Sequence, residues 1–242
     1  MVVFPPAKIN LGLNVLRKRA DGFHEIESVL FPVPLTDVLE AIVDPELPEG
    51  QLIYSRSGTP IPGNLAADLC TRAHSMVAER RVLPGVRLHL HKVIPMGAGL
   101  GGGSSDGANT LSLLNDLLDL GLSMSELAGM AVRLGSDCSF FLDQGAKLAT
   151  GRGEELTPVD LDLSGLYLYM IAPNVHVGTA EVYANSAPTE RSAELHVLAS
   201  RSRIPEWPTH LVNTMEQYVF RTYPAVADAK RLLIEAVHAT LR

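Results

Sequence analysis

Apolar and polar residues alternate over residues 7–16: Ile9, Leu11, Leu13 and Val15 fall on one side, Lys8, Asn10, Gly12 and Asn14 on the other. That period of two predicts a strand with a polar face. After the turn signal Asp21-Gly22, residues 27–35 predict a second strand broken by Pro32 and Pro34. Residues 57–67 read as loop, and a helix is expected over 68–80. Alternation returns over 85–94, with Val86, Leu88 and Leu90 opposite Arg87, His89 and His91. His89 and His91 share a face but find no third metal ligand at matching spacing, so they read as solvent-side.

Leu111, Leu114 and Leu118 recur at helical spacing, with Gly121 as the stop. Ser123 and Glu126 form a capping-box pattern opening a helix that carries Leu127, Met130, Ala131 and Leu134 and ends at Gly135. A short strand pair turning at Gly151 and Gly153 is expected next. Beyond it come a predicted strand over 165–173, a short helix around Ala180 to Tyr183, and a polar linker over 186–194. Two helical stretches complete the chain, 211–220 and from Pro224 onward, with Pro224 in the favoured first turn. Mixed helices with antiparallel-style strands predict an α+β fold. A second unit is expected to begin near Gly151, dividing the chain into domains 1–150 and 151–242.

Composition narrows the function classes. The 242 residues are 46% hydrophobic and carry 20 basic against 27 acidic side chains, a net charge of −7. That sign disfavours nucleic acid and anionic membrane as partners, while a local nest of backbone N–H groups can still hold a small anion. Cys70 and Cys138 show no metal or disulfide spacing and read as buried free thiols. No basic leader precedes Pro5-Pro6, and no run approaches the roughly 18 apolar residues of a spanning helix. A cytoplasmic protein is expected.

The chemistry concentrates in residues 95–106, "PMGAGLGGGSSD", where five glycines stand directly ahead of a helix. A strand, a glycine-rich loop and a helix N-terminus make an anion site: the first helical N–H groups lack internal partners, and residues without Cβ let a phosphate approach the main chain. The Walker pattern is absent because no lysine follows the glycines. Gly97, Gly99 and Gly102 formally satisfy the dinucleotide pattern, but the acidic residue downstream, Asp119, lies in the same helix rather than ending a second strand.

This loop resembles the signature of the GHMP kinases, which phosphorylate small molecules. Residues 6–26 ("PAKINLGLNVLRKRADGFHEI"), 57–63 ("SGTPIPG") and 134–142 ("LGSDCSFFL") narrow the resemblance. They are similar to the branch acting on the 2-hydroxyl of 4-diphosphocytidyl-2-C-methyl-D-erythritol, in the non-mevalonate isoprenoid route. The resemblance implies a two-domain fold with its active site in the cleft between domains, and ATP and Mg²⁺ as cofactors. It implies Lys8 and Asp137 as the catalytic pair, and Pro95, Gly97, Gly99, Gly101, Gly102, Gly103, Ser104 and Ser105 as the nucleotide cradle, with Ser105 also a metal candidate. Asn10, Phe23, His24, Thr179 and Tyr183 are the implied acceptor contacts, with Phe23 and Tyr183 stacking on the cytosine from opposite sides and His24 bonding its polar edge.

Two departures qualify this expectation. The Asn-Leu pair expected a few residues after the "PIPG" loop comes early, at Asn64-Leu65, and Asp68 stands where the adenine-contacting Asn is expected. The family's third glycine motif and closing strand and helix are not found before Arg242. A shortened chain, a chain with omitted residues and a natural variant of reduced activity are all compatible with that. Another GHMP small-molecule kinase and a nucleotide-binding protein with impaired catalysis are therefore the alternatives.

Overall fold

The computed structural model describes residues 1–240 other than 144, 174, 190–194, 202 and 203. In chain order the strands are β1 (Val2–Val3), β2 (Pro6–Lys18), β3 (His24–Thr36), β4 (Val38–Val43), β5 (Leu52–Gly58), β6 (Val86–Lys92), β7 (Lys147–Thr150) and β8 (Glu155–Pro158). The helices are α1 (Leu69–Ala78), α2 (Gly102–Leu117), α3 (Met124–Leu134), α4 (Thr179–Asn185), α5 (Leu195–Arg201), α6 (Trp207–His210), α7 (Glu216–Thr222) and α8 (Pro224–Thr240). Mixed elements in antiparallel and parallel ladders make the fold α+β, as the alternation predicts.

Two compact units divide the chain: Met1–Ile9, Phe31–Met96 and Leu100–Gly145 form the first, and Asn10–Leu30, Gly97–Gly99 and Ala146–Arg242 the second. One boundary falls between Gly145 and Ala146. Residues 10–30 nevertheless belong to the second unit, because β3 pairs with β7 from Ser28↔Ala149 to Leu30↔Lys147. Pairing across more than a hundred residues leaves no mark on local composition.

In the first unit the sheet order is β1-β4-β6-β5, with β4 antiparallel and β5 parallel to β6. Leu39, Ala41, Leu88 and Leu90 are buried on its inner face. Helices α1, α2 and α3 pack on one another, and α2 also packs on β1 and β4. The predicted capping box forms at the start of α3, with Ser123 and Glu126 each satisfying the other's backbone N–H. Asp68 caps α1, its carboxylate accepting from the Cys70 N–H.

His74 of α1 is buried, its Nε2 lacks a hydrogen-bond partner, and burial lowers its pKa below the ordinary 6.5. The unfolded chain therefore takes up a proton that the folded one refuses. Its contribution to stability is present above the unfolded pKa and is lost as pH falls below it. Urea midpoints should drop between about pH 7.5 and about pH 5.5, and drop less in His74→Phe.

In the second unit, Val29, Leu195 and Ala199 form a core with Leu11, Leu148, Leu161 and Leu211 around it. The edge of β2 is covered from far along the chain: the Leu13 N–H donates to the Val212 carbonyl at 2.9 Å and the Thr214 N–H returns to Leu13 at 2.8 Å. Three local expectations need correction. Pro32 and Pro34 do not break β3; they lie beyond its residues paired with β7, where the missing N–H costs no bond in that ladder. Residues 211–215 are not helical, and α7 begins only at Glu216. Residues 165–173 form no strand, and Tyr167 and Tyr169 are 91% and 79% exposed. An apolar run becomes a strand only by pairing, and among the described residues this one has no ladder partner. The polar linker is described only up to residue 189.

Candidate active site

The strand β6 runs into the glycine loop and α2 leaves it. The first intrahelical bond at this end joins the Ser105 N–H to the Gly101 carbonyl at 2.9 Å, so the N–H groups of Gly102, Gly103 and Ser104 make up the open first turn. Gly101 caps the helix with φ of 71°, a left-handed conformation that only glycine adopts at little cost. A Cβ there would also stand 2.8 Å from Phe141 and 3.1 Å from the Lys8 side chain. Gly103 differs: a Cβ would meet nothing within 4 Å. Packing does not require glycine at that position, and without a Cβ the main chain there lies open. Ser104 is half-buried, and its hydroxyl bonds the Cys138 thiol. Ser105 is buried, with its hydroxyl 3.4 Å from the Asn109 amide, on the packed side of the turn.

Lys8 lies on the polar face of β2, and its backbone N–H donates to the Leu100 carbonyl at 2.9 Å, tying this strand to the glycine loop. Its ammonium is 3.6 Å from the Asp137 carboxylate. The lysine side chain is 8% exposed and the aspartate 38%. Asp137 opens the short turn Cys138–Leu142 but makes no side-chain capping bond, so its carboxylate is not consumed by the local turn. Burial pushes the neighbouring Cys138 thiol up to about 11, which keeps it protonated and unreactive.

The implied acceptor residues fall in the second unit. His24 and Tyr183 stack directly, ring centroids 5.5 Å apart and planes 19° from parallel. Phe23 is 51% exposed, and the Arg152 guanidinium sits 4.7 Å over its ring. Tyr183 thus meets His24, and Arg152, which the sequence reading did not single out, meets Phe23. Thr179 opens α4, the helix that carries Tyr183. Asn10 donates to the Ser28 hydroxyl at 2.7 Å, which in turn donates to the Gly12 carbonyl. Gly97 packs against the His176 ring. Asn64 and Asp68 both serve as caps of short helical starts, at Ala66 and Cys70.

Sequence reading missed one charged cluster. Lys92 sits between Asp37 and Asp106, 2.6 Å from each, and all three are buried. A signal was present: Lys92 continues the inward series Val86, Leu88, Leu90, so alternation alone puts its charge inside. Burial pushes Asp106 up to about 7, Lys92 pulling against it and Asp37 adding to it.

The glycine loop thus opens α2 with a buried lysine and an aspartate beside it. The family described as GHMP kinases N terminal domain matches residues 66–145. A homoserine kinase structure from Cytophaga hutchinsonii shares the fold, with a TM-score of 0.56 at 15% identity over 79% of this chain and 61% of that one. The 4-diphosphocytidyl-2-C-methyl-D-erythritol kinase of Cytophaga hutchinsonii is 43% identical over 232 residues, covering 95% of this chain and 83% of that protein. The enzyme of the same name from Geobacter sulfurreducens is 35% identical, covering 96% and 81%. A crystal structure of 4-(cytidine 5'-diphospho)-2C-methyl-D-erythritol kinase superposes with a TM-score of 0.71 at 30% identity, covering 94% and 80%. The chain belongs to the 4-diphosphocytidyl-2-C-methyl-D-erythritol kinase family, whose members are ATP-dependent kinases of small molecules.

Proposed function

We propose that this chain transfers the terminal phosphoryl group of ATP to the 2-hydroxyl of 4-diphosphocytidyl-2-C-methyl-D-erythritol, using Lys8 and Asp137. The observation that carries the reading is the ion pair at 3.6 Å, whose lysine is anchored through its own N–H to the glycine loop. The open first turn of α2 holds the polyphosphate through main-chain N–H groups and the positive end of the helix dipole. The Asp137 carboxylate accepts the proton of the attacking hydroxyl, and the Lys8 ammonium stabilises the oxygen as its charge grows. A bond forms between that oxygen and the terminal phosphorus as the bond to the bridging oxygen of ATP breaks; ADP leaves, and Asp137 passes the proton to solvent.

Mg²⁺ is part of the proposal. Among the described residues no three His, Cys, Asp or Glu side chains gather into a metal cage. The half-buried Ser104 hydroxyl would contact a cation held chiefly by phosphate oxygens and water, whereas the Ser105 hydroxyl is buried. When bound, the ion neutralises charge on the phosphates.

His24, Tyr183 and Phe23 offer ring faces for the cytosine, and Asn10 and Thr179 offer polar contacts. Tyr183→Ala should raise KM for the acceptor by roughly tenfold, the loss of about 1.4 kcal/mol of stacking, with KM for ATP unchanged. An ATP-consumption assay with the cytidine acceptor, homoserine and galactose tests the whole reading. Turnover with the first alone supports it; turnover with either of the others, or none with any, sinks it.

A further inference from the structure

We propose that Lys92, with Asp37 and Asp106, is a positioning residue for the phosphate-binding turn, holding the strand that enters the glycine loop to the helix that leaves it. Asp37 accepts from the backbone N–H groups of Val93 and Ile94, the two residues that follow β6. Its other oxygen accepts from the Lys92 ammonium, which reaches across to Asp106 in the second turn of α2. The backbone that leads into the loop and the helix that follows it are thereby fastened to one ammonium.

Contact with the first turn is direct. A Cβ on Gly102 would lie 2.8 Å from the Lys92 ammonium and 2.9 Å from the Ile94 side chain. Gly102 therefore has a packing reason to be glycine: it lets α2 start on top of the ammonium. The Lys92 side chain is 0% exposed, so it acts through this turn and does not touch substrate. From α1, the Cys70 thiol also faces Asp106 and is held protonated, chiefly by burial and then by that carboxylate.

Stability alone is a poor reason for such a cluster. Burying three charges is costly, and apolar replacements of similar volume are often as stable or more so. One Asp106 oxygen is moreover buried without a hydrogen-bond partner, so the cluster is not even fully satisfied. Directional anchoring is what an ammonium supplies here and a methionine of similar shape cannot.

The inference rests on the kinase reading, and its test separates the two. ATP binding is measured by calorimetry without acceptor, acceptor KM by turnover, and melting temperature by circular dichroism, for the full chain and its variants. Lys92→Met should weaken ATP binding roughly tenfold and leave acceptor KM within about twofold, because only the loop is misplaced. Adding Asp106→Asn to Lys92→Met removes a stranded carboxylate; it should recover melting temperature but not ATP affinity. Asp106→Asn alone, which keeps an acceptor oxygen for Lys92, should weaken ATP binding by a smaller factor of about three. Recovery of ATP affinity together with melting temperature in the double variant would reduce the cluster to a structural role and overturn the proposal. Wild-type ATP affinity in either Lys92→Met or Asp106→Asn would overturn it as well, as would equal losses toward both substrates. Wild-type protein that binds no ATP would instead sink the kinase reading.

Discussion

Asp137→Asn should lower kcat by about 10²–10⁴-fold while ATP binding and acceptor KM stay within about twofold. The amide keeps the shape of the carboxylate but cannot take the hydroxyl proton. Some stability should be lost as well, because the Lys8 ammonium, 8% exposed, loses its charged partner, although Asp137 itself makes no capping bond. Lys8→Met should act on the same step and lower kcat comparably, because the ammonium is the positive charge 3.6 Å from that carboxylate. Two groups acting as a unit are not additive, so the double variant should be little slower than the worse single one. Steady-state kinetics at saturating substrates checks both. A kcat close to wild type in Asp137→Asn would remove the residue from the general-base role.

Gly103→Val should abolish ATP binding in practical terms, by at least about 10²-fold or ~3 kcal/mol, in a protein that still folds. Apart from its chain neighbours and its own helix backbone, nothing lies within 4 Å of a Cβ built there, so the added side chain starts in open space. That space is where a phosphate would meet the first-turn N–H groups. Gly101→Ala should behave in the opposite way: its Cβ would press on Phe141 and Lys8 at 2.8 and 3.1 Å, with a φ of 71° to sustain. Its melting temperature should fall together with its activity. Calorimetric titration with ATP alongside circular dichroism separates blocked binding from lost fold. Unimpaired ATP binding by Gly103→Val would place the polyphosphate elsewhere on the protein.

Local pattern reported the local elements well. The alternation through Val15 marked β2, the Ser123–Glu126 pair marked the start of α3, and the glycines marked the turn that opens α2. Elements that exist only by long-range pairing were misjudged. Residues 165–173 have the composition of a strand and no partner in the described structure, while residues 212–214 attach to β2 across about two hundred positions with no β pattern of their own. Single residues followed the same division. Ser105 reads as a ligand by its place in the motif, yet it is buried in the helix, and Lys92, which the motifs do not mark, is the charge that meets two carboxylates.

By itself the sequence determined that a strand would feed a glycine loop and an open helix end. These are properties of neighbours along the chain, where backbone geometry and side-chain period act directly. Tertiary structure alone decided that Lys8 reaches Asp137, that His24 stacks on Tyr183, and that Lys92 lies under Gly102 between Asp37 and Asp106. The Lys8, His24 and Asp37 contacts join segments far apart in sequence, and Gly102 and Asp106 meet Lys92 only because burial folds the loop between them back on itself.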